Sequence, residues 1–183
     1  TALKAGDYCA REGALYRPWL LDLIRRIGEV DGIERIRLGS LEPRIITEEF
    51  AVELAKIDKL CPHFHLSLQS GCDATLKRMN RHYTTAEYLE CCGILRRAFH
   101  EPAITTDVIV GFPGETEEEF AVTRAFLEQV HFYEMHVFKY SKRAGTRAAL
   151  MPDQVPEQVK AERSDVLLEL EKRMSREYRE RFV

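Results

Sequence analysis

The sequence predicts an α/β fold whose parallel strands curl into a complete or partial TIM-like βα barrel, and three observations carry that prediction. Strand-like and helix-like segments alternate along the chain, the rhythm of βαβ units. Four loops rich in glycine, serine or charge recur where strands should end: 39–43 (GSLEP), 68–73 (LQSGCD), 110–115 (VGFPGE) and 140–146 (YSKRAGT). Several strands are also polar on one side, through Arg35 and Arg37, then His65, Ser67 and Gln69, then Thr105 and Asp107. A parallel strand covered on both faces is normally apolar throughout, and burying such groups without partners costs about 1–3 kcal/mol each. The side turned away from the helices is therefore expected to line a lumen that holds ligand or water. An open sheet with one wet face is the competing arrangement.

Periodicity and end signals justify the elements in order. Pro18 precedes a helix with Leu20, Leu23, Ile24 and Ile27 on one face, and Trp19 and the apolar residues of that helix are expected in the core. Ile33, Ile36 and Leu38 read as a strand ending at Gly39-Ser40. Thr47 is placed to cap the next helix, which turns Phe50, Leu54 and Ile57 inward. In HFHLSLQSG (63–71), apolar Phe64, Leu66 and Leu68 alternate with His65, Ser67 and Gln69. Thr84 and Glu87 have capping-box spacing ahead of a helix carrying Tyr88, Cys91, Leu95 and Phe99 on its apolar side. Residues 104–111 form a strand that stops in a glycine-rich turn. Thr116 and Glu119 repeat the capping box before a helix with Phe120, Thr123, Leu127 and Val130 on one face. A strand at about 132–140 and, after Pro156, a long charged helix at about 156–182 complete the chain.

At 183 residues, 45% of them hydrophobic, the chain can bury the core of one globular domain. A net charge of −3 gives no general support for nucleic-acid binding, so such a partner would need a local basic patch. The five cysteines, Cys9, Cys61, Cys72, Cys91 and Cys92, are odd in number and lack CxxC spacing. That argues against a zinc site or a disulfide framework and for a reducing cytoplasm. No apolar run approaches a membrane span, and nothing resembles a signal peptide. The chain opens at Thr1 without a methionine and is expected to be an excerpt of a longer protein.

Ligands of βα architectures bind at the carboxyl ends of the strands, so the four loops point to one common site. Gly111 and Gly114 permit backbone angles that other residues resist, and Pro113 fixes the turn between them. That turn is either a short βα connection or a place where ligand lies against bare backbone. Gln69 and Ser70 have a plain reading as caps of the short helix after Asp73, and Glu42 as a solvated loop carboxylate. His63 and His65 share a strand face, but with no third ligand in view hydrogen-bonded lining is expected rather than a metal. Cys72 has no neighbouring base and is not expected to be a nucleophile. Cys91 and Cys92 fall mid-helix as core and surface neighbours. The basic run KRMNRHY (77–83) follows a site loop, and its plain reading is a solvated face.

Four long motifs, RIRLGSLEP, PHFHLSLQSGCDATLKRMNRHYT, TTDVIVGFPGETEEEF and HVFKYSKRAGTRAA, together resemble the radical S-adenosylmethionine (SAM) methylthiotransferases. These enzymes attach a methylthio group to tRNA or to a ribosomal protein. Glu42-Pro43 and HVFKYSKRAGT look like the branch acting on N6-threonylcarbamoyladenosine at position 37 of tRNA; the isopentenyladenosine branch usually has His-Pro at the first place. The resemblance implies an incomplete (β/α)6 barrel with SAM and a [4Fe–4S] cluster at its open end, and a second [4Fe–4S] cluster on the sulfur path. A 5′-deoxyadenosyl radical would take the hydrogen from C2 of the adenine. The resemblance also implies cofactor binding by Ser40, Glu42, Ser67, Gln69, Arg81, Gly111, Phe112, Pro113 and Tyr140. The Val110–Pro113 backbone would lie near the SAM adenine, Ser67 and Gln69 along its ribose and methionine, and Arg81 at its carboxylate. Lys142 and Arg143 would meet the tRNA anticodon loop.

The family's CxxxCxxC loop has no counterpart among the five cysteines, and Lys4, Gly39 and Cys72 depart from residues common in the family. The first strand, the cluster loop, the N-terminal methylthiotransferase domain and the C-terminal RNA-binding barrel are expected outside residues 1–183. Alone, the chain is expected to be inactive, to carry no iron and at most SAM, and to form about five parallel strands with helices on one side. Dimerisation through the open barrel edge, or disorder near Thr1, is expected too. The competing function is a cluster-free module that holds a nucleoside or a protein on the same barrel.

Overall fold

A computed structural model of the protein describes residues 9–12 and 15–183. Strands β1 (Cys9–Glu12) and β2 (Leu15–Pro18) pair antiparallel, a hairpin that the hydrophobic pattern did not mark. Helix α1 (Trp19–Gly28) follows and buries Leu21 and Ile24. Trp19, 64% exposed, and Leu23, 55% exposed, are not core residues as expected. The α1 stripe that meets the protein centres on Leu21 and Ile24, one turn apart, with Leu20 packed at its edge and Trp19, Leu23 and Ile27 left outside it.

The main sheet has four strands in the order β3 (Ser40–Leu41), β4 (His63–Leu66), β5 (Ala103–Val110) and β6 (Glu134–Lys139), all parallel. The expected strand at 33–38 shrinks to one parallel bridge between Ile36 and Leu60, and the pairing moves on to Ser40 and Leu41. The count among the described residues is therefore four rather than five. Every crossover passes through helix: α2 (Glu48–Ala55), then α3 (Asp73–Arg78) and α4 (Thr85–Ala98), then α5 (Glu117–Val130), and α6 (Glu157–Arg179) packs against β6. This is a partial, open βα barrel, as the sequence predicted.

The caps act where the sequence placed them. Thr47 accepts the Phe50 N–H at 3.1 Å, and both capping boxes, Thr84 with Glu87 and Thr116 with Glu119, are complete. Phe64, Leu66, Ile104, Val108 and Val110 point at the helices and join Leu54, Tyr88, Leu95, Leu127 and Leu167 in one core. Each such side chain contributes about 1.5–3 kcal/mol on burial. The opposite face of β4 and β5 is polar and only half-buried at His63, His65 and Asp107.

Helix α6 is held near both ends. Lys160 and Arg163 reach the loops after β6 and β5, where Lys160 Nζ donates to the Tyr140 carbonyl at 3.0 Å. Near the other end the Tyr178 hydroxyl donates to the Glu101 carbonyl at 2.8 Å, just before β5. Among the described residues no helix is long and apolar enough to cross a membrane. Lys4 and the disorder expected near Thr1 lie outside the described residues.

Candidate functional site

Apart from Ser40, the expected cofactor residues lie in two groups near the carboxyl ends of β3 to β6. The first forms around Tyr83, whose hydroxyl donates to the Ser67 carbonyl at 2.7 Å and the Leu68 carbonyl at 2.9 Å. Burial pushes this phenol up to about 12, Arg81 draws it back, and Glu42 adds to the rise, so both charges act on one buried hydroxyl. The Tyr83 hydroxyl thus ties the segment that carries Arg81 to the end of β4 at Ser67, with Arg81 exposed and Glu42 half-buried. Ser40, exposed on β3, pairs with His65 of β4.

The second group is the turn Gly111-Phe112-Pro113-Gly114 with Tyr140. The Tyr140 N–H donates to the Val110 carbonyl at 2.9 Å, and its ring meets Phe112 edge-on at 5.3 Å. The Tyr140 hydroxyl is buried without a hydrogen-bond partner among the described residues. Gln69 joins the groups. At φ 74° its backbone leaves the β4 direction and pairs with β5, donating to Asp107 O and accepting from Ile109 N, both at 2.9 Å.

The glycine turn is held from behind. Gly111 has φ 70°, and a β-carbon there would stand 2.3 Å from Lys160 Cγ. The bareness of Gly111 thus admits a helix side chain, and any side chain added at this position would meet Lys160 rather than an open cavity. The Gly111 N–H donates to the buried Glu115 carboxylate at 2.6 Å, and Arg163 donates to the same carboxylate at 2.8 Å. Burial raises the Glu115 carboxyl above its usual range despite these two partners. Arg78 of α3 closes the other side, donating to the Pro113 carbonyl at 3.2 Å and pairing with Glu119. From the basic run the sequence singles out Arg81 and not Arg78; the capping box at Glu119 marks a helix start but not an arginine partner two helices earlier in the chain.

Below this end, on the lumen face, lies a polar cavity of about 460 Å3 lined by Arg37, Ser40, His63, His65, Thr105, Asp107, Glu134 and His136, among others. Of the expected cofactor residues only Ser40 lines it. Arg37 donates to the His63 ring at 3.2 Å, and burial together with Arg37 lowers the His63 pKa, so this imidazole is neutral at pH 7. The predicted polar lumen is therefore present, and His63 is hydrogen-bonded lining as expected.

The cysteines do not fit an iron–sulfur cluster among the described residues. Burial pushes Cys91 up to about 11 and Cys92 up to about 12, and among the described residues no three cysteines converge on one point as cluster ligands do. Cys72 is buried and Cys61 half-buried on separate loops. SAM fits better: the unpaired buried Tyr140 hydroxyl beside Phe112 is the kind of group the polar edge of a nucleoside satisfies.

A fold with open parallel strands and a site at their carboxyl ends has known counterparts. Residues 12–127 match the family model described as the radical SAM superfamily, and the chain belongs to that superfamily. It is 47% identical over 155 residues to the tRNA-2-methylthio-N(6)-dimethylallyladenosine synthase of Thermoanaerobacter sp. (strain X514), covering 85% of this chain and 33% of that one. It is 48% identical over 149 residues to the threonylcarbamoyladenosine tRNA methylthiotransferase MtaB of Bacillus subtilis (strain 168), covering 81% and 33%. The chain thus spans about a third of the length of these curated relatives. Among solved structures it superposes on coproporphyrinogen III oxidase (HemN) of Escherichia coli, a radical SAM enzyme, with TM-score 0.66 and 18% identity, covering 85% of this chain and 36% of that one. That likeness concerns the fold.

Proposed function

We propose that this chain is the SAM-holding part of a tRNA methylthiotransferase of the cytoplasm that modifies N6-threonylcarbamoyladenosine at position 37. The cluster loop, the sulfur-handling domain with a second cluster, and the RNA-binding barrel would lie outside residues 1–183. The observation that carries the reading is the braced turn at Gly111–Gly114 beside the unpaired Tyr140 hydroxyl. Glu42-Pro43 favours the threonylcarbamoyl substrate through the family resemblance, whereas the relatives themselves divide at nearly equal identity, 47% to the dimethylallyladenosine synthase and 48% to the threonylcarbamoyladenosine enzyme. When bound, SAM and its cluster supply the radical chemistry. This chain's residues bind and orient. Arg81 offers an exposed guanidinium for the methionine carboxylate, Phe112 and Tyr140 wall the nucleoside, and the braced loop keeps both in place at no cost on binding. Lys142 and Arg143, exposed two and three residues beyond Tyr140, are set to contact tRNA phosphates.

Two measurements test this. Nucleoside mass spectrometry of tRNA from a strain lacking the gene should show loss of the 2-methylthio derivative of N6-threonylcarbamoyladenosine. Loss of the isopentenyladenosine derivative instead would move the protein to the other branch, and unchanged tRNA would refute the activity. Calorimetric titration of SAM into the reconstituted full-length protein should show Arg81→Ala weakening binding by roughly 1.5–3 kcal/mol, the range for hydrogen bonds to charged groups. Equal affinity would remove Arg81 from the site.

A further inference from the structure

The cavity on the lumen face holds a constellation that the proposed function does not use. His65 on β4, Asp107 on β5 and His136 on β6 stand on three adjacent parallel strands, and their ligand atoms lie within 4.8 Å of one another. The register explains the convergence: Thr105 pairs with His65, and Asp107 pairs with His136, so all three side chains leave the same face of the sheet. The two imidazoles stack with centroids 6.0 Å apart.

The His65 ring is oriented in the way a ligand histidine is. Its Nδ1 lies 3.0 Å from Thr105 Oγ1, and its Nε2 faces Asp107 Oδ2 at 3.5 Å. That second distance is long for a hydrogen bond. It is close to the roughly 3.3 Å between donors on a tetrahedral zinc whose bonds are about 2.0–2.1 Å. A hydroxyl that engages one ring nitrogen fixes the tautomer and leaves the other nitrogen for a metal. His136 is exposed on the edge strand, so rotation of its side chain can close the remaining gap. The charges also suit a cation: Asp107 and Glu134 oppose the single guanidinium of Arg37, which is turned to His63.

We propose that His65, Asp107 and His136 bind a first-row divalent transition metal, zinc foremost. A donor set of two imidazoles and one carboxylate selects such ions over calcium or magnesium. Three protein ligands at the wall of a cavity leave the remaining position open to the lumen, the pattern of sites that present a water or a ligand rather than of closed structural sites. Thr105 is a positioning residue that acts through His65.

The test is equilibrium dialysis of the full-length, cluster-loaded protein against zinc, read by metal analysis. One zinc per chain should bind beyond the iron. His136→Gln and Asp107→Asn should each weaken zinc uptake at least tenfold, and Thr105→Val should weaken it by about 10–100-fold, the range for losing such an outer partner. Iron content should not change in any variant, which separates this site from the clusters. His136 lies outside the core, so His136→Gln is the deciding variant. Absence of stoichiometric zinc, or zinc uptake that is equal in His136→Gln and the parent protein, would overturn the proposal.

Discussion

Arg163 of α6 and Gly111 of the β5 turn meet on one oxygen: Glu115 Oε2 accepts from the Arg163 guanidinium at 2.8 Å and from the Gly111 N–H at 2.6 Å. A carboxylate whose side chain is 1% exposed is thereby satisfied from two elements at once. Removing the arginine alone strands that charge, so Arg163→Met should lower stability by about 3–5 kcal/mol. The double variant Arg163→Met, Glu115→Gln should recover much of the loss. Urea unfolding measures both, and a single-variant loss below about 1 kcal/mol would contradict the role of the pair.

Gly111→Ala should destabilise the fold and not merely obstruct a ligand. The residue's positive φ costs a non-glycine residue roughly 1–2 kcal/mol, and the added carbon would press on the Lys160 stem. In a Lys160→Ala background the steric part should vanish while the backbone part persists. A double-mutant cycle that shows no coupling would mean that the contact is irrelevant.

Hydrogen bonds from Arg78 hold the Glu119 carboxyl below its ordinary 4.5, against the opposing effect of burial. A lowered folded-state pKa gives stability that is complete above the unfolded value and lost as pH falls through the folded one. Glu119→Gln should therefore cost about 1.5–3 kcal/mol at pH 7. The gap from the parent protein should close as the pH drops below 4.5. Denaturation midpoints across that interval check the sign, and a gap that widens in acid would reverse the argument.

Thiol reagents at pH 8 should label the half-buried Cys61 readily. Cys91 and Cys92, pushed up to about 11 and about 12 by burial, should react only on unfolding. After anaerobic reconstitution the isolated chain should show no [4Fe–4S] absorption. Rapid labelling of Cys92 in the folded chain would show that the α4 core opens.

The sequence made the barrel legible wherever one residue type answers to one local rule. Thr84 and Thr116 cap because their hydroxyls sit three residues before Glu87 and Glu119, and Phe64, Leu66 and Leu68 alternate because a strand has period two. Trp19 escaped because helical periodicity gives a face but not what covers it. The segment 33–38 escaped because apolar spacing shows that a strand fits, not that a neighbour pairs with it. At the site, the turn at 111–114 was plain from glycine and proline, while Lys160, Arg163 and Arg78 were invisible: they arrive from other helices, and a charged residue in a helix reads as solvated. His136 was missed in the same way, since only the register of β5 with β6 sets it opposite Asp107.

Helix α6 acts as a gauge for strand β5. The fifteen steps from Arg163 to Tyr178 rise about 22 Å at about 1.5 Å each, and the seven steps from Ala103 to Val110 advance about 23 Å at about 3.3 Å each. Because the helix is tied to the loop beyond one end of that strand and the loop before the other, the two lengths are matched in the folded chain. Deleting one residue between Arg163 and Tyr178 would swing one tie about 100° around the helix axis. The chain would then have to surrender either the Glu101 fastening or the Glu115 one, so length in α6 is under tighter constraint than its exposed, charged surface suggests.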